Sequence, residues 1–209
     1  MSGTGNSNYG GLGKSETKQA STWLKPEQVE KMRDACYSNE VADYLQERNE
    51  VAVQVAYDTA LRVQELVALK WEDFDLEEGT LYLRSEVQKG EKPPVTMELA
   101  GETVRMLKRY NGRMWRESEY LFPSRQSDQM TDRSMRNVVE QMAVLAGVRP
   151  YLAGGGRGEP EDVSPHTLRH SLAYRMVMVE DKRMVDVQLR LRHSSMLTTE
   201  QIYSHFQTV

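Results

Sequence analysis

The sequence predicts a mainly helical domain (α+β) that contains one small antiparallel β-sheet. Apolar residues recur at a spacing of three to four through most of the chain, as in amphipathic helices. Between Phe74 and Met97 the spacing changes to two, which is typical of strands. Hydrophobic residues make up 39% of the 209 residues, and no run reaches the ~18 apolar residues of a membrane-spanning helix. Since a secretory signal is also missing from the first twenty residues, we expect a cytoplasmic protein with no membrane partner.

The first 22 residues differ in composition from the rest. They are mostly Gly, Ser, Thr and Asn, with little apolar surface to bury. We therefore expect a disordered arm over 1–22 and a single domain over 23–209.

Helices are predicted at regular intervals along this domain. Pro26 suits the first position of a helix over about 26–36, and a second helix covers about 40–59, with its period continuing from Leu61 to Leu69. Further helices are expected over about 99–110, 132–146, 166–179, 183–191 and 199–206. Thr131 and Gly147 suit the N-cap and C-cap of the 132–146 helix.

The predicted sheet and one long loop separate these helices. In LEEGTLYLR, Leu81 and Leu83 alternate with Tyr82 and Arg84, and PPVTM follows a Lys-Gly-Glu-Lys turn. This pattern indicates a hairpin. Residues 147–165 hold five glycines and three prolines, so we expect a loop there.

The charge is unevenly distributed. The net charge of the chain is −4, yet residues 1–100 carry −7 and residues 101–209 carry +3. The basic half contains 14 arginines and two lysines, and the planar guanidinium suits bidentate contact with phosphate. Without a motif, solvated helix faces would be the better explanation of these arginines.

The sequence gives little support for a metal site or a disulfide bond. The single cysteine, Cys36, excludes an internal disulfide and a cysteine-based zinc site. His166 and His170 have the spacing of a metalloprotease helix, but Thr167 stands where that motif requires Glu. We therefore expect no metal.

Two helical segments bring charged residues together. Arg62 and Glu65 are three apart, and so share a helix face. His166 and Arg169 lie one turn apart at a helix start, where backbone N–H groups favour an anion. An amphipathic helix and a purely structural helix start are the ordinary explanations.

Two further segments contain the remaining candidate residues. Lys89 lies at the tip of the predicted hairpin, where a lysine is usually only solvated. In residues 189–206, Thr198 can cap a last helix that contains Tyr203, with His193 before it. A helix that merely packs Ile202 and Phe206 is the ordinary explanation.

Together these segments resemble the tyrosine recombinases of the phage-integrase family, over Trp23 to Phe206. Six positions occur in the family's order: Arg62, Lys89, His166, Arg169, His193 and Tyr203. A Leu-Arg-His run ends at His193, and Thr-Thr precedes the tyrosine. The sequence is most similar to compact archaeal and archaeal-virus members.

The resemblance implies a reaction without metal or nucleotide cofactors. A tyrosine attacks a backbone phosphorus of double-stranded DNA, giving a 3′-phosphotyrosine and a free 5′-hydroxyl, and the covalent link allows rejoining. Tyr203 would be the nucleophile. Arg62 and Arg169 would hold the phosphate oxygens.

The remaining roles also follow from the resemblance. His166 would accept the tyrosine proton or hold a phosphate oxygen, and His193 would donate a hydrogen bond to the phosphate. Lys89 is the candidate general acid for the leaving 5′-oxygen, with Lys92 as the fallback. Glu65 would orient Arg62. His170 would support the second motif from behind.

Three basic residues outside these motifs are candidate contacts to the DNA backbone: Arg133, Arg136 and Arg157. Simple surface arginines are the alternative for each.

The resemblance also implies an assembly on DNA. We expect a monomer in solution and a tetramer on paired DNA sites.

The sequence departs from the family pattern in three ways. Arg192 stands where the family usually has Gly before a histidine, and the step from His193 to Tyr203 is one residue longer than usual. No separate helical DNA-binding domain precedes Arg62, so we expect either an excised catalytic domain or a short recombinase, with weak DNA affinity.

Two other functions stay open. A type IB topoisomerase shares this chemistry but relaxes supercoils without joining partners. A DNA-binding regulator could keep the fold without catalysis, although every catalytic residue type is present.

Overall fold

A computed structural model describes residues 22–88, 90, 92–192 and 206 of the protein. Its helices are α1 Pro26–Ala35, α2 Asp43–Thr59, α3 Val63–Val67, α4 Gly101–Asn111, α5 Asp132–Leu145, α6 Pro165–Tyr174 and α7 Met184–Leu191. Its strands are β1 Thr22–Trp23, β2 Phe74–Asp75, β3 Thr80–Leu83, β4 Val95–Glu98 and β5 Tyr151–Leu152. The mainly helical fold class is confirmed.

Helix α2 forms the centre of the core. Every residue from Arg48 to Thr59 is buried, because α1, α4, α5 and α6 all pack around it. The helix ends at Ala60, whose backbone adopts the left-handed conformation with φ 53°. This abrupt end turns the chain toward Arg62.

The predicted hairpin is the main part of a three-stranded antiparallel sheet in the order β2-β3-β4. Leu81 pairs with Phe74 on one side and Met97 on the other. Leu81 and Leu83 point into the core, whereas Tyr82 is exposed. The alternation read from the sequence is thereby confirmed.

A second, two-stranded sheet is a correction to the sequence prediction. Strands β1 and β5 pair antiparallel, so Thr22 belongs to a strand rather than to the predicted arm, and the predicted 147–165 loop contains one. Two-residue strands are too short to show a period. Their pairing depends on distant contacts, such as Trp23 stacked on Tyr151 with ring centroids 5.8 Å apart.

Helix α6, which carries the His-x-x-Arg motif, packs against β1 and the residue that follows it. The Leu24 N–H donates to Ser171 Oγ at 2.8 Å. After Tyr174 the predicted 166–179 helix continues as a π-helical segment, Arg175–Val179. The 132–146 helix has the predicted Thr131 N-cap, but its C-cap is Ala146, and Gly147 follows with φ 60°.

None of the helices among the described residues is long and apolar enough to cross a membrane.

Candidate active site

A cleft of about 250 Å³ opens between the α2–α3 turn, α5 and the start of α6. It brings together four of the predicted residues, Arg62, Arg136, His166 and Arg169, beside Leu61, Val63, Ser164 and Pro165. Three guanidinium groups around one cleft create a site for an anion.

Arg62 is directed into the cleft by its place at the start of α3. It is the N-cap residue of α3, and its backbone N–H donates to Glu65 Oε2 at 2.7 Å. Its Nη1 lies 3.3 Å from Glu65 Oε1, while about a third of the side chain, 32%, remains exposed. Glu65 therefore contacts both the backbone and the side chain of Arg62. That Glu65 orients Arg62 for catalysis stays a prediction.

Glu65 is a buried carboxylate with a second arginine partner. Arg192 reaches it with Nη2 to Oε2 at 2.6 Å and Nη1 to Oε1 at 3.2 Å. Burial opposes the charged carboxylate, but the hydrogen bonds and charges of Arg192 and then Arg62 outweigh it and lower the pKa of Glu65.

Arg169 is buried beneath the cleft with 1% of its surface exposed. Its Nη1 donates to the carbonyl of Ala60 and its Nη2 to the carbonyl of Leu191. Burial, followed by the charges of Arg62 and Arg192, lowers the pKa of Arg169 to about 9. The guanidinium thus stays mostly protonated at neutral pH while it joins the ends of α2 and α7.

His166 is an exposed residue at the mouth of the cleft, in the first turn of α6. Ser164 caps this helix by accepting from the Thr167 N–H. Desolvation by the surrounding protein lowers the pKa of His166, and the charges of Arg169 and Arg62 lower it further. The imidazole is therefore neutral at neutral pH, with a nitrogen able to accept a proton.

His170 lies one helical turn after His166 and packs against its ring. The two ring centroids are 4.2 Å apart with the rings tilted by 61°, and His170 is buried. The supporting role of His170 stays a prediction.

Arg192 is the residue that sequence reasoning undervalued. Its Nη1 also lies 3.3 Å from Gln88 Oε1, and its carbonyl accepts from Lys92 Nζ at 3.0 Å. Lys92, the fallback general acid, is therefore held beside the end of α7. The signal available in the sequence was the arginine in a position that usually holds glycine.

Three predicted catalytic residues, Lys89, His193 and Tyr203, lie outside the described residues, as does most of the predicted 199–206 helix. Phe206 is described and buried. Its ring centroid lies 5.2 Å from that of Trp23 and 5.4 Å from that of Tyr174.

The three candidate DNA contacts separate into two places. Arg133 and Arg136 are exposed on α5, and Arg136 lines the cleft. Arg157 instead packs 3.8 Å over the Tyr151 ring and donates to the Arg149 carbonyl. Arg157 lines a different pocket, next to Arg149 and Lys31.

The mainly helical fold and this arginine-rich cleft define a domain with a site for an anion such as a phosphate. The model of the phage integrase family matches residues 22–208. The chain belongs to the phage integrase family.

Curated relatives are bacterial tyrosine recombinases. The XerD recombinase of Yersinia pestis is 34% identical over 171 residues, which are 78% of this chain and 52% of the relative. The XerC recombinase of Thermodesulfovibrio yellowstonii is 30% identical over 164 residues, 76% of this chain and 50% of the relative. The chain thus spans about half the length of these relatives.

Solved structures share the fold. XerH site-specific recombinase bound to a palindromic difH substrate, in a post-cleavage complex, matches with a TM-score of 0.69 and 25% identity over 95% of this chain and 53% of that one. XerA recombinase matches with a TM-score of 0.69 and 24% identity over 88% of this chain and 62% of that one.

Proposed function

We propose that this chain cleaves and rejoins DNA strands in site-specific recombination, through a 3′-phosphotyrosine formed by Tyr203. The observation that supports this most is the convergence of Arg62, His166 and Arg169 on one cleft. The relatives are named tyrosine recombinases, and XerH is a site-specific recombinase bound to a difH substrate.

The chemistry needs positive charge at a phosphate. As the Tyr203 oxygen attacks phosphorus, negative charge grows on the non-bridging oxygens, and preformed guanidinium groups stabilise it. Arg62 has exposed surface for direct contact, whereas Arg169 supplies charge from below. His193 is proposed to donate a further hydrogen bond to the phosphate.

Proton transfers complete the step. His166 accepts the phenolic proton as the bond from Tyr203 to phosphorus forms. The bond to the 5′-oxygen breaks, and Lys89, or Lys92 in its place, donates a proton to that oxygen. The reverse sequence rejoins the strand, because the phosphotyrosine conserves the bond energy.

We propose that the DNA backbone crosses α5. Arg136 lies in the cleft, and Arg133 precedes it by three residues on the same helix, so both face the same side. Arg157 is proposed as a separate backbone contact on the neighbouring surface.

We also propose that the protein acts as a tetramer on paired DNA sites in the cytoplasm. Recombination of two duplexes requires four strand cuts, and hence four active sites on paired DNA sites, whereas the free protein is expected to be a monomer that acts in the cytoplasm. The matched relatives are bacterial, and the finer resemblance to compact archaeal or archaeal-virus members is likewise part of the proposal.

The test is covalent trapping. Nicked suicide duplexes, drawn from a randomised pool enriched for binding to this protein, are incubated with wild type and with Tyr203→Phe, and adducts are separated on denaturing gels. Tyr82→Phe is the matched control, since Tyr82 is an exposed tyrosine on β3.

We expect an adduct with wild type and Tyr82→Phe, and none with Tyr203→Phe. No adduct on DNA that the protein binds would overturn the proposal and favour the non-catalytic regulator. Plasmid relaxation without recombinant products would instead favour the topoisomerase-like activity.

A further inference from the structure

Arg192 occupies a backbone conformation that favours glycine. Its φ and ψ are 53° and 40°, at the C-cap of α7. L-residues with side chains rarely adopt this left-handed region. An arginine stands here instead of the less strained glycine, and its contacts offset the strain.

The guanidinium of Arg192 is engaged on two sides. It forms two roughly parallel hydrogen bonds with Glu65, of 2.6 and 3.2 Å, an arrangement that adds both strength and direction. Its Nη1 also contacts Gln88 Oε1 at 3.3 Å. The side chains of Arg192 and Glu65 are only 9% and 1% exposed, so water screens this pair little.

Gln88 transmits this contact to the hairpin. Its Nε2 donates to the Pro93 carbonyl at 2.9 Å and lies 3.4 Å from the Leu83 carbonyl, so that it joins the two sides of the hairpin. Lys92 Nζ returns to the Arg192 carbonyl at 3.0 Å. The hairpin base is thus attached to both the side chain and the backbone of Arg192.

We infer that Arg192 is a positioning residue that holds the Arg62 turn, the hairpin base and the end of α7 in one arrangement. The catalytic consequence rests on the proposed function, while the structural coupling does not. With Arg192 present, Glu65 uses only one 3.3 Å contact on the Arg62 side chain, which leaves most of that guanidinium for the cleft. Without Arg192, the buried Glu65 carboxylate keeps only its contacts with the backbone N–H and Nη1 of Arg62 and draws the Arg62 side chain toward itself.

Glycine is the sharpest replacement, because Arg192→Gly removes the side chain while relieving the backbone. The first experiment is amide hydrogen exchange of the full chain. The Arg62 N–H, bonded to Glu65 Oε2, and the Gln88 N–H, bonded to the Ser85 carbonyl, report on the two attached segments. The control is Arg183→Ala, at an exposed arginine beside the same helix that pairs with Asp186.

We expect exchange at both reporters to rise by about tenfold in Arg192→Gly, as loss of a charge-assisted hydrogen bond implies. Exchange in α4 should not change, and Arg183→Ala should leave the reporters unaltered. Unchanged exchange at Arg62 and Gln88 in Arg192→Gly would overturn the inference, whatever the activity of the protein.

The second experiment is single-turnover cleavage of the bound suicide duplex. Arg192→Gly should cleave about 10- to 100-fold more slowly, the scale of a small misplacement of catalytic groups, with DNA affinity unchanged. Arg192→Lys should recover part of the rate, because lysine keeps the charge but not the paired geometry. It also provides the comparison if the glycine variant does not fold.

The two proposals fail differently. No adduct from wild type would contradict the proposed function, and the exchange result would still decide the coupling. Normal cleavage by both wild type and Arg192→Gly would overturn the positioning role and leave the proposed function intact.

Discussion

His166 lies in the first turn of α6, where it lines the cleft. Desolvation and the neighbouring guanidinium groups lower the pKa of His166 below its ordinary value of 6.5. The folded protein therefore binds this proton less tightly than the unfolded chain, so protonation below pH 6.5 reduces stability as the pH falls.

An NMR titration of the four histidine rings measures this directly. We expect the signal that disappears in His166→Asn to titrate below pH 6.5 in the free protein. A titration above that value would make His166 a cation that donates to the phosphate, and the assigned role as base would be wrong.

Arg169 lines the cleft and also stabilises the fold through its hydrogen bonds to two buried carbonyls. Replacing it with Ala leaves the buried carbonyls of Ala60 and Leu191 without their donor. We expect the free energy of unfolding to fall by about 2–4 kcal/mol, since a buried group left unsatisfied costs about 1–3 kcal/mol.

Urea denaturation of Arg169→Ala and Arg169→Lys separates the two roles. The lysine variant should lose less stability, because it keeps a charge and one donor. Equal stability of Arg169→Ala and wild type would show that the two carbonyls find other partners.

At the scale of elements, the start of α6 positions both His166 and Arg169. The Ser164 hydroxyl caps the helix by accepting from the Thr167 N–H, and the Thr167 hydroxyl accepts from the Ser164 N–H. This reciprocal pair fixes the direction of the first turn, where His166 lies.

Ser164→Ala should lower the free energy of unfolding by about 1 kcal/mol, the usual cost of losing an N-cap, and also slow DNA cleavage. Thr131→Ala is the control, because Thr131 caps α5 in the same way without lining the cleft. A similar stability loss is expected there, with a smaller loss of cleavage. Equal cleavage by both variants would argue against precise placement by the α6 cap.

At the scale of the whole molecule, we expect DNA affinity to depend on the basic residues around the cleft more than on the net charge of −4. Phosphate contacts release counterions, so DNA affinity must fall as salt rises. The cleft concentrates three arginines at one place, which gives an acidic protein a local site for a polyanion.

Arg136→Ala should weaken binding similarly across DNA sequences and reduce the salt slope by about 1. Fluorescence anisotropy with labelled duplexes at several salt concentrations measures both. Arg113→Ala, at an exposed arginine paired with Glu47, should change neither. Loss of affinity for one base pair only would make Arg136 a base reader instead.

The spacing of apolar residues in the sequence determined the positions of several helices and the inward face of the main sheet. The positions of α1, α2 and α5, and the inward Leu81 and Leu83, follow from periodicity, because the spacing of apolar residues records which face of an element is buried. The order of the motifs also indicated the family, which the match over residues 22–208 confirmed.

Only the tertiary structure decided which distant residues meet. The β1–β5 pairing, the placement of Arg136 in the cleft and the ion pair of Glu65 with Arg192, 127 residues away, leave no periodic signal. They depend on how α2, α5, α6 and α7 pack around one another. The sequence marked Arg192 only as a departure from the family's usual glycine. The structure shows its left-handed backbone and an ion pair with Glu65, because this packing places the buried carboxylate beside the Arg192 guanidinium.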